Sequence, residues 1–327
     1  MIGVALVGLG DIALRAHLPA LLRNPEVTVA ALVDPDPARR ALAAAHARAP
    51  VAKDVREVLA DPSVRGVVLA TPPWVTAGLI AQVAGSGRFV LAEKPVATSL
   101  EAGEKLLALP EEQLRRVQAG LTYRHDPALE LLGEWLRSGL LGSPLLVRAH
   151  IYDERRDPAD PAHARRVEET LRHGLPLVHE GAHVFDWFRL LFGAPERVDD
   201  AWTLATRDGL PAPNLCGVRL LCPHGTVVLA EFGWLTDAPP RCEISVLGDR
   251  GHVRLDGYSF TVELSTAAGI ERFEFEPDRT TRCFDRQLAR FVELITGVRH
   301  EADPGLEAGV ATLALAERIT TLLEGRR

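Results

Sequence analysis

Three groups of residues in this chain have types and spacings that could do chemistry. The first is Gly8-Leu9-Gly10-Asp11-Ile12-Ala13, which follows an apolar run directly. Two glycines permit a tight turn and close approach of backbone to a pyrophosphate, and Ala13 takes the third small position, where a helix packs on a strand. Gly8, Gly10, Asp11 and Ile12 would present backbone N–H groups and the positive end of that helix to phosphates. Asp34 follows Gly10 by 24 residues. A carboxylate there accepts hydrogen bonds from the adenosine ribose hydroxyls and repels a 2′-phosphate, so NAD is expected. NADP stays the alternative if Arg39 or Arg40 serves a phosphate.

The second group is Glu93-Lys94-Pro95, at the end of the apolar run Phe89–Ala92. In open parallel sheets, ligands bind outside the carboxyl ends of the strands. Lysine occurs only at Lys53, Lys94 and Lys105, against 34 arginines, so Lys94 is not one of many interchangeable surface cations. Its compact ammonium can donate to a hydroxyl or carbonyl oxygen and take a shifted pKa, whereas a guanidinium stays protonated. A salt-bridged loop lysine is the plainer reading, and the company of the glycine turn decides for function.

The third group is His179-Glu180-Gly181-Ala182-His183-Val184-Phe185-Asp186, inside a helical pattern over Leu177–Phe192. His179, His183 and Asp186 stand at i, i+4 and i+7 and share one helix face. Gly181 in a helix interior costs about 1 kcal/mol relative to Ala, which points to close approach of a neighbouring backbone or ligand. The same run reads as H-E-x-x-H, the spacing that brings two imidazoles to one zinc ion in proteases. Arg189 stands where a third histidine would follow, and a protease leaves the glycine turn unexplained, so no metal is expected. A helix with incidental polar residues is the plain alternative.

Positioning these groups needs two kinds of architecture. Strand patterns at Ile2–Val7, Val27–Val33, Val64–Ala70, Phe89–Ala92 and Arg116–Leu121 alternate with helical patterns such as Ile12–Leu22 and Pro37–Ala47. Apolar strands separated by helices predict a doubly wound parallel (Rossmann) sheet covered on both faces. Beyond residue 122 come a helix at Ala128–Arg137, a strand at Leu145–Ile151 and a charge-rich stretch at Asp153–His173, expected as an exposed loop with some helix. After Leu177–Phe192, seven strand patterns between Val198 and Phe275 predict an open, largely antiparallel sheet, and helices close the chain. The fold class is α/β followed by α+β, with residues 1–122 binding the dinucleotide and 123–327 forming the second domain.

Composition narrows the function. A net charge of −7 argues against nucleic acid or an anionic membrane as partner. There is no run of about 18 apolar residues to span a bilayer. Met1 leads straight into Ile2–Val7 without a basic leader, and Cys216, Cys222, Cys242 and Cys283 form no C-x-x-C. A cytoplasmic protein with reduced, buried thiols is expected.

These motifs together resemble the glucose–fructose oxidoreductase/inositol dehydrogenase (Gfo/Idh/MocA) family. The resemblance is carried by the glycine turn, Thr71-Pro72-Pro73, Glu93-Lys94-Pro95, Tyr123-Arg124-His125-Asp126-Pro127 and Gly181-Ala182-His183-Val184-Phe185-Asp186, in that order along residues 1–192. It implies an NAD(P)-dependent dehydrogenase acting on a sugar, inositol or related polyol. It also implies a homodimer or homotetramer associating through the second sheet. Thr71, Pro72 and Glu93 join the cofactor-binding residues. Lys94 and His183 become the catalytic pair, with His179, Asp186, Tyr123 and Arg124 around the substrate. Two positions depart from the family pattern: His179 stands for the usual Asp, and Thr76 for a usual His.

The expected chemistry is hydride transfer between a secondary alcohol carbon and nicotinamide. His183 accepts the hydroxyl proton, Lys94 donates to the developing oxygen charge, and His179 with Asp186 orients or relays. The reading requires ammonium and imidazole to meet at one carbinol. A non-catalytic dinucleotide or metabolite sensor on the same fold is the alternative.

Overall fold

The computed structural model describes residues 1–238 and 241–325. The chain forms two compact units: Met1–His125 with Thr280–Leu313, and Asp126–Arg279 with the chain from Ala314 onward.

In the first unit, strands β1 (Ile2–Val7), β2 (Val27–Val33), β3 (Val51–Ala52), β4 (Val64–Leu69), β5 (Phe89–Glu93) and β6 (Val117–Gly120) form one sheet in the order β3-β2-β1-β4-β5-β6. All of its pairs are parallel. Alternation along each strand divides the core in two. Val7, Val67, Leu69, Val90 and Ala92 meet Ile80, Val83, Leu106 and Val310 on one face. On the other, Val4, Leu6, Leu32, Val68 and Leu91 meet Leu18, Leu21, Phe284, Leu288 and Phe291. Burying a side chain of the Leu or Phe class contributes about 1.5–3 kcal/mol, so both faces need helices over them. Part of that cover comes from late in the chain, from the helices Arg279–Thr296 and Leu306–Glu324. This differs from the division at 122/123, which assigned everything after Leu121-Thr122 to a second domain. The apolar face of Arg279–Thr296 matches the exposed side of the first sheet, and such long-range complementarity leaves no local mark in a sequence.

The second unit is built on strands β7 (Leu146–Glu154), β8 (Arg197–Leu204), β9 (Leu215–Leu221), β10 (Val227–Trp234), β11 (Glu243–Leu247), β12 (Gly251–Asp256), β13 (Val262–Thr266) and β14 (Gly269–Phe273). Their order is β14-β13-β12-β11-β7-β10-β9-β8. Every pair is antiparallel except β7 with β10. One face is apolar and buried, with Ala149, Val218, Ala230, Ile244 and Leu255 in register across it. The opposite face carries Arg148, Arg219, Arg254, Leu229, Leu247 and Trp202, the last three exposed.

Two local expectations change. Asp153–His173 is mostly ordered structure: β7 runs to Glu154, and a helix spans Pro161–Leu171, capped by Asp160, whose Oδ1 accepts the His163 N–H at 2.9 Å. Ala164, Val167 and Leu171 turn inward and pack with Trp234 and Leu235, so the charges of this stretch mark only its outer face. The helix expected over Leu177–Phe192 is two pieces, Pro176–His179 and Gly181–Phe192, meeting at Glu180. Among the described residues no helix is long and apolar enough to cross a membrane.

Candidate functional site

Strand register sets the first half of the site. Val7 pairs with Val33 on one side and Leu69 on the other, Leu69 pairs with Ala92, and Glu93 with Gly120. The carboxyl ends of β2, β1, β4, β5 and β6 therefore finish in one row. Gly8, Asp34, Thr71, Pro72, Glu93, Lys94, Tyr123 and Arg124 all follow that edge within a few residues. Backbone bonds lock the row: Gly8 N–H donates to Val33 O, and Ala70 N–H to Val7 O, both at 2.8 Å.

The two glycines of the turn serve different ends. Gly8 has φ +84°, and a Cβ there would lie 2.4 Å from the Ala70 carbonyl oxygen, so the fold itself requires glycine. A Cβ at Gly10 would meet nothing within 4 Å among the described residues. That open space, beside exposed Asp11 and Ile12, is what a pyrophosphate approaching the backbone needs. Asp34 is buried, and its oxygens already accept from Leu9 N–H and Asp36 N–H at 2.8 Å each. Each oxygen keeps a second lone pair for a ribose hydroxyl. Arg40 is turned away onto the Asp34 and Pro35 carbonyls, while exposed Arg39 lies 3.8 Å from the Asp34 carboxylate. These residues fit NAD: the phosphate turn has room and the ribose position is anionic. Thr76, in the place of the family's histidine, is buried and braces the Thr-Pro turn through Thr71 Oγ1 at 2.9 Å and Pro72 O at 3.0 Å.

Next along the row, both Glu93 carboxylate oxygens are occupied. Oε2 accepts the Lys94 backbone N–H at 3.1 Å, and Oε1 accepts from His17 Nε2 at 2.8 Å. His17 and Glu93 are both buried, and Phe284 meets the imidazole edge-on at 4.8 Å. Tyr123 and Arg124 lie in a single 3-10 turn, Thr122–His125, directly after β6. Arg124 pairs with Asp303 at 3.1 Å, which gives it a structural task beside the pocket role expected of it.

In the second unit the candidate side chains keep aromatic company. His183 is buried on the helix Gly181–Phe192 and stacks on Trp187, with ring centroids 6.4 Å apart and planes 20° apart. Trp187 meets Phe260 edge-on at 5.4 Å, and the Arg279 guanidinium sits 5.0 Å from the Phe260 ring centre. His179, on the other side of the break at Glu180, stacks on Trp234 at 5.6 Å, and the Trp234 indole N–H donates to Asp153 at 3.1 Å. The two imidazoles rest on different indoles. Asp186 is buried on the same helix as His183. A Cβ at Gly181 would lie 2.7 Å from Phe185 Cε2, so the close approach there comes from a side chain of its own helix. Among the described residues no group of three His, Cys, Asp or Glu side chains is arranged to hold a metal ion.

Sequence reasoning did not single out His17, Trp187 or Trp234. His17 follows Gly10 by seven residues, a position of no special meaning until Glu93 is brought beside it. Trp187 follows His183 by four, a spacing at which helix side chains adjoin, and that signal was available.

Comparison with known proteins bears on the family and the fold. A model described as an oxidoreductase family with an NAD-binding Rossmann fold matches residues 2–121, and one described as the Gfo/Idh/MocA C-terminal domain matches residues 129–254. The rhizopine catabolism protein MocA of Rhizobium meliloti is 27% identical over 325 residues, covering 98% of this chain and 94% of its relative. An inositol 2-dehydrogenase of Rubrobacter xylanophilus is 31% identical over 336 residues, covering 97% and 89%. Among solved structures, an oxidoreductase of Agrobacterium radiobacter in complex with NAD+, L-tartaric acid and magnesium superposes with a TM-score of 0.85. It is 18% identical, and the superposition covers 100% of this chain and 97% of that one.

Proposed function

The chain belongs to the Gfo/Idh/MocA family of oxidoreductases, and on that premise we propose that it oxidises a secondary alcohol of a sugar, inositol or related polyol with NAD+, or reduces the matching ketone with NADH. The observation that carries the reading is the row of strand ends, along which anionic Asp34 after β2, the open glycine turn after β1 and Glu93-Lys94 at the end of β5 stand in that order. Nicotinamide, when bound, supplies the hydride acceptor. Lys94 donates a hydrogen bond to the substrate oxygen and stabilises the negative charge that builds there as the C–H bond breaks. His183 takes the hydroxyl proton, as an imidazole can near neutral pH. His179 and Asp186 orient the substrate or pass that proton on. Relatives named as inositol 2-dehydrogenases direct the choice toward cyclitols first.

The test is turnover with NAD across a panel of inositols and aldoses, followed by Lys94→Ala and His183→Ala. Each substitution should lower kcat about 100–1000-fold while NAD affinity changes less than about threefold. NAD and polyol binding without turnover in the wild type would replace the enzyme by a sensor. Unchanged kcat in Lys94→Ala would remove that residue from the chemistry.

A further inference from the structure

We propose that His17 is a positioning residue for Lys94, acting through the Glu93 carboxylate; the proposal rests on the reading of Lys94 as catalytic. Three observations in the first unit lead there. Glu93 ends β5, and its carboxylate is held at both oxygens, by His17 Nε2 at 2.8 Å and by the Lys94 backbone N–H at 3.1 Å. His17 and Glu93 are 4% and 9% exposed, so water does not substitute for either partner. Phe284 packs edge-on against the imidazole at 4.8 Å, with the rings 84° apart, which restricts its rotation.

The helix geometry supplies the reason His17 points at Glu93. The segment Ala13–His17, which follows the phosphate turn, is π-helical. An α-helix advances about 100° per residue, and a π turn takes in one residue more. Wound as α-helix, this segment would swing His17 around the axis and off the end of β5. Single π turns carry an energetic penalty and recur at functional sites. The short path from Gly10 to His17 therefore ties the phosphate turn to the backbone from which the Lys94 side chain departs. Without the imidazole donor, a buried carboxylate loses a charge-assisted hydrogen bond. It must turn to recover one, and the Lys94 N–H turns with it.

The chain's three lysines, Lys53, Lys94 and Lys105, make Lys94 directly observable by NMR of protein labelled with 13Cε-lysine, assigned by Lys94→Arg. In the NAD-bound protein, His17→Leu, which keeps bulk against Phe284 but has no donor, should displace the Lys94 resonance and leave those of Lys53 and Lys105 in place. It should lower kcat about 10–100-fold, the scale of a misplaced catalytic group, with KM changed less than about threefold. His17→Gln, whose amide N–H reaches where Nε2 stands, should return the resonance and most of kcat. Glu93→Gln should displace the same resonance, which secures the measurement if His17→Leu folds poorly. A Lys94 resonance unmoved in the folded variants overturns the proposal, as does one that His17→Gln fails to restore. The resonance needs no substrate. A wild type that binds NAD and turns over nothing would overturn the dehydrogenase reading while this one is still judged by the position of the Lys94 signal.

Discussion

Lys94 follows a carboxylate with hydrogen bonds at both oxygens, whereas His179 and His183 face indole rings at 5.6 and 6.4 Å. The contacts described around the candidate group of the first unit are polar and lie at the end of a buried strand; those of the second include stacked rings, one on a helix and one on a strand. The difference matches what each group does in the proposed reaction. An ammonium that stabilises oxygen charge acts from one place, and the hydrogen bonds at Glu93 and the Lys94 N–H fix where its flexible side chain departs. An imidazole that takes and returns a proton must hold its plane toward the substrate, and a neighbouring ring helps to set that plane.

Removing the stack is the most severe way to break the comparison. Trp187→Ala should cost about 3–5 kcal/mol of stability, as expected for a large buried aromatic. Trp187→Phe, which keeps a ring facing His183, should retain most of the stability and most of kcat. Urea unfolding and steady-state kinetics read both, and equal losses of kcat in the two variants would mean that the ring does not hold His183.

His125 tests the polar side. It is buried in the first unit, its Nε2 has no hydrogen-bond partner among the described residues, and its pKa is pushed down to about 3. Burial is the main cause, with the nearby Arg290, Arg124, Arg286 and Arg299 adding to it. The unfolded chain takes up a proton near pH 6.5 that the folded chain refuses until about pH 3. Stability attached to this group is therefore complete above pH 6.5 and is lost as pH falls toward 3, at about 1.4 kcal/mol per pH unit. Urea midpoints at pH 7.0 and 5.0 should fall more steeply in the wild type than in His125→Asn. Parallel falls would show that no neutral imidazole is buried there.

The gentlest change sharpens the first unit further by separating its two turn glycines. Gly10→Ala should leave the melting temperature unchanged, because its Cβ meets no protein atom within 4 Å. NAD affinity should fall about tenfold, near 1.4 kcal/mol, as the methyl enters the pyrophosphate's space. Gly8→Ala should lower the melting temperature itself. Calorimetry with and without NAD distinguishes the two, and undiminished NAD affinity in Gly10→Ala would remove the pyrophosphate from that position.

Much of this was readable from residue order. The glycine turn, Asp34 and Lys94 sit at strand ends because apolar β-branched runs announce their own termination, and the alternation of strand and helix predicts the parallel sheet. The repeated short runs between Val198 and Phe275 likewise predict the second sheet. The stretch Asp153–His173 misleads because its charges line the outer face of a helix whose Ala164, Val167 and Leu171 are inward. The break at Glu180 falls directly before Gly181, whose presence in a helical pattern is its one local sign.

Sequence alone determined the local chemistry: which residue types stand at which strand ends, with the glycine turn after β1, Asp34 after β2 and Lys94 after β5. These follow from periodicity and from the conformations that Gly and Pro permit, which are short-range properties. Tertiary structure decided the partnerships. It brought His17 to Glu93 across 76 residues, Trp234 to His179, and the helix Arg279–Thr296 back onto the first sheet. Such contacts are chosen by shape and burial summed over the whole chain, and no stretch of sequence carries that sum.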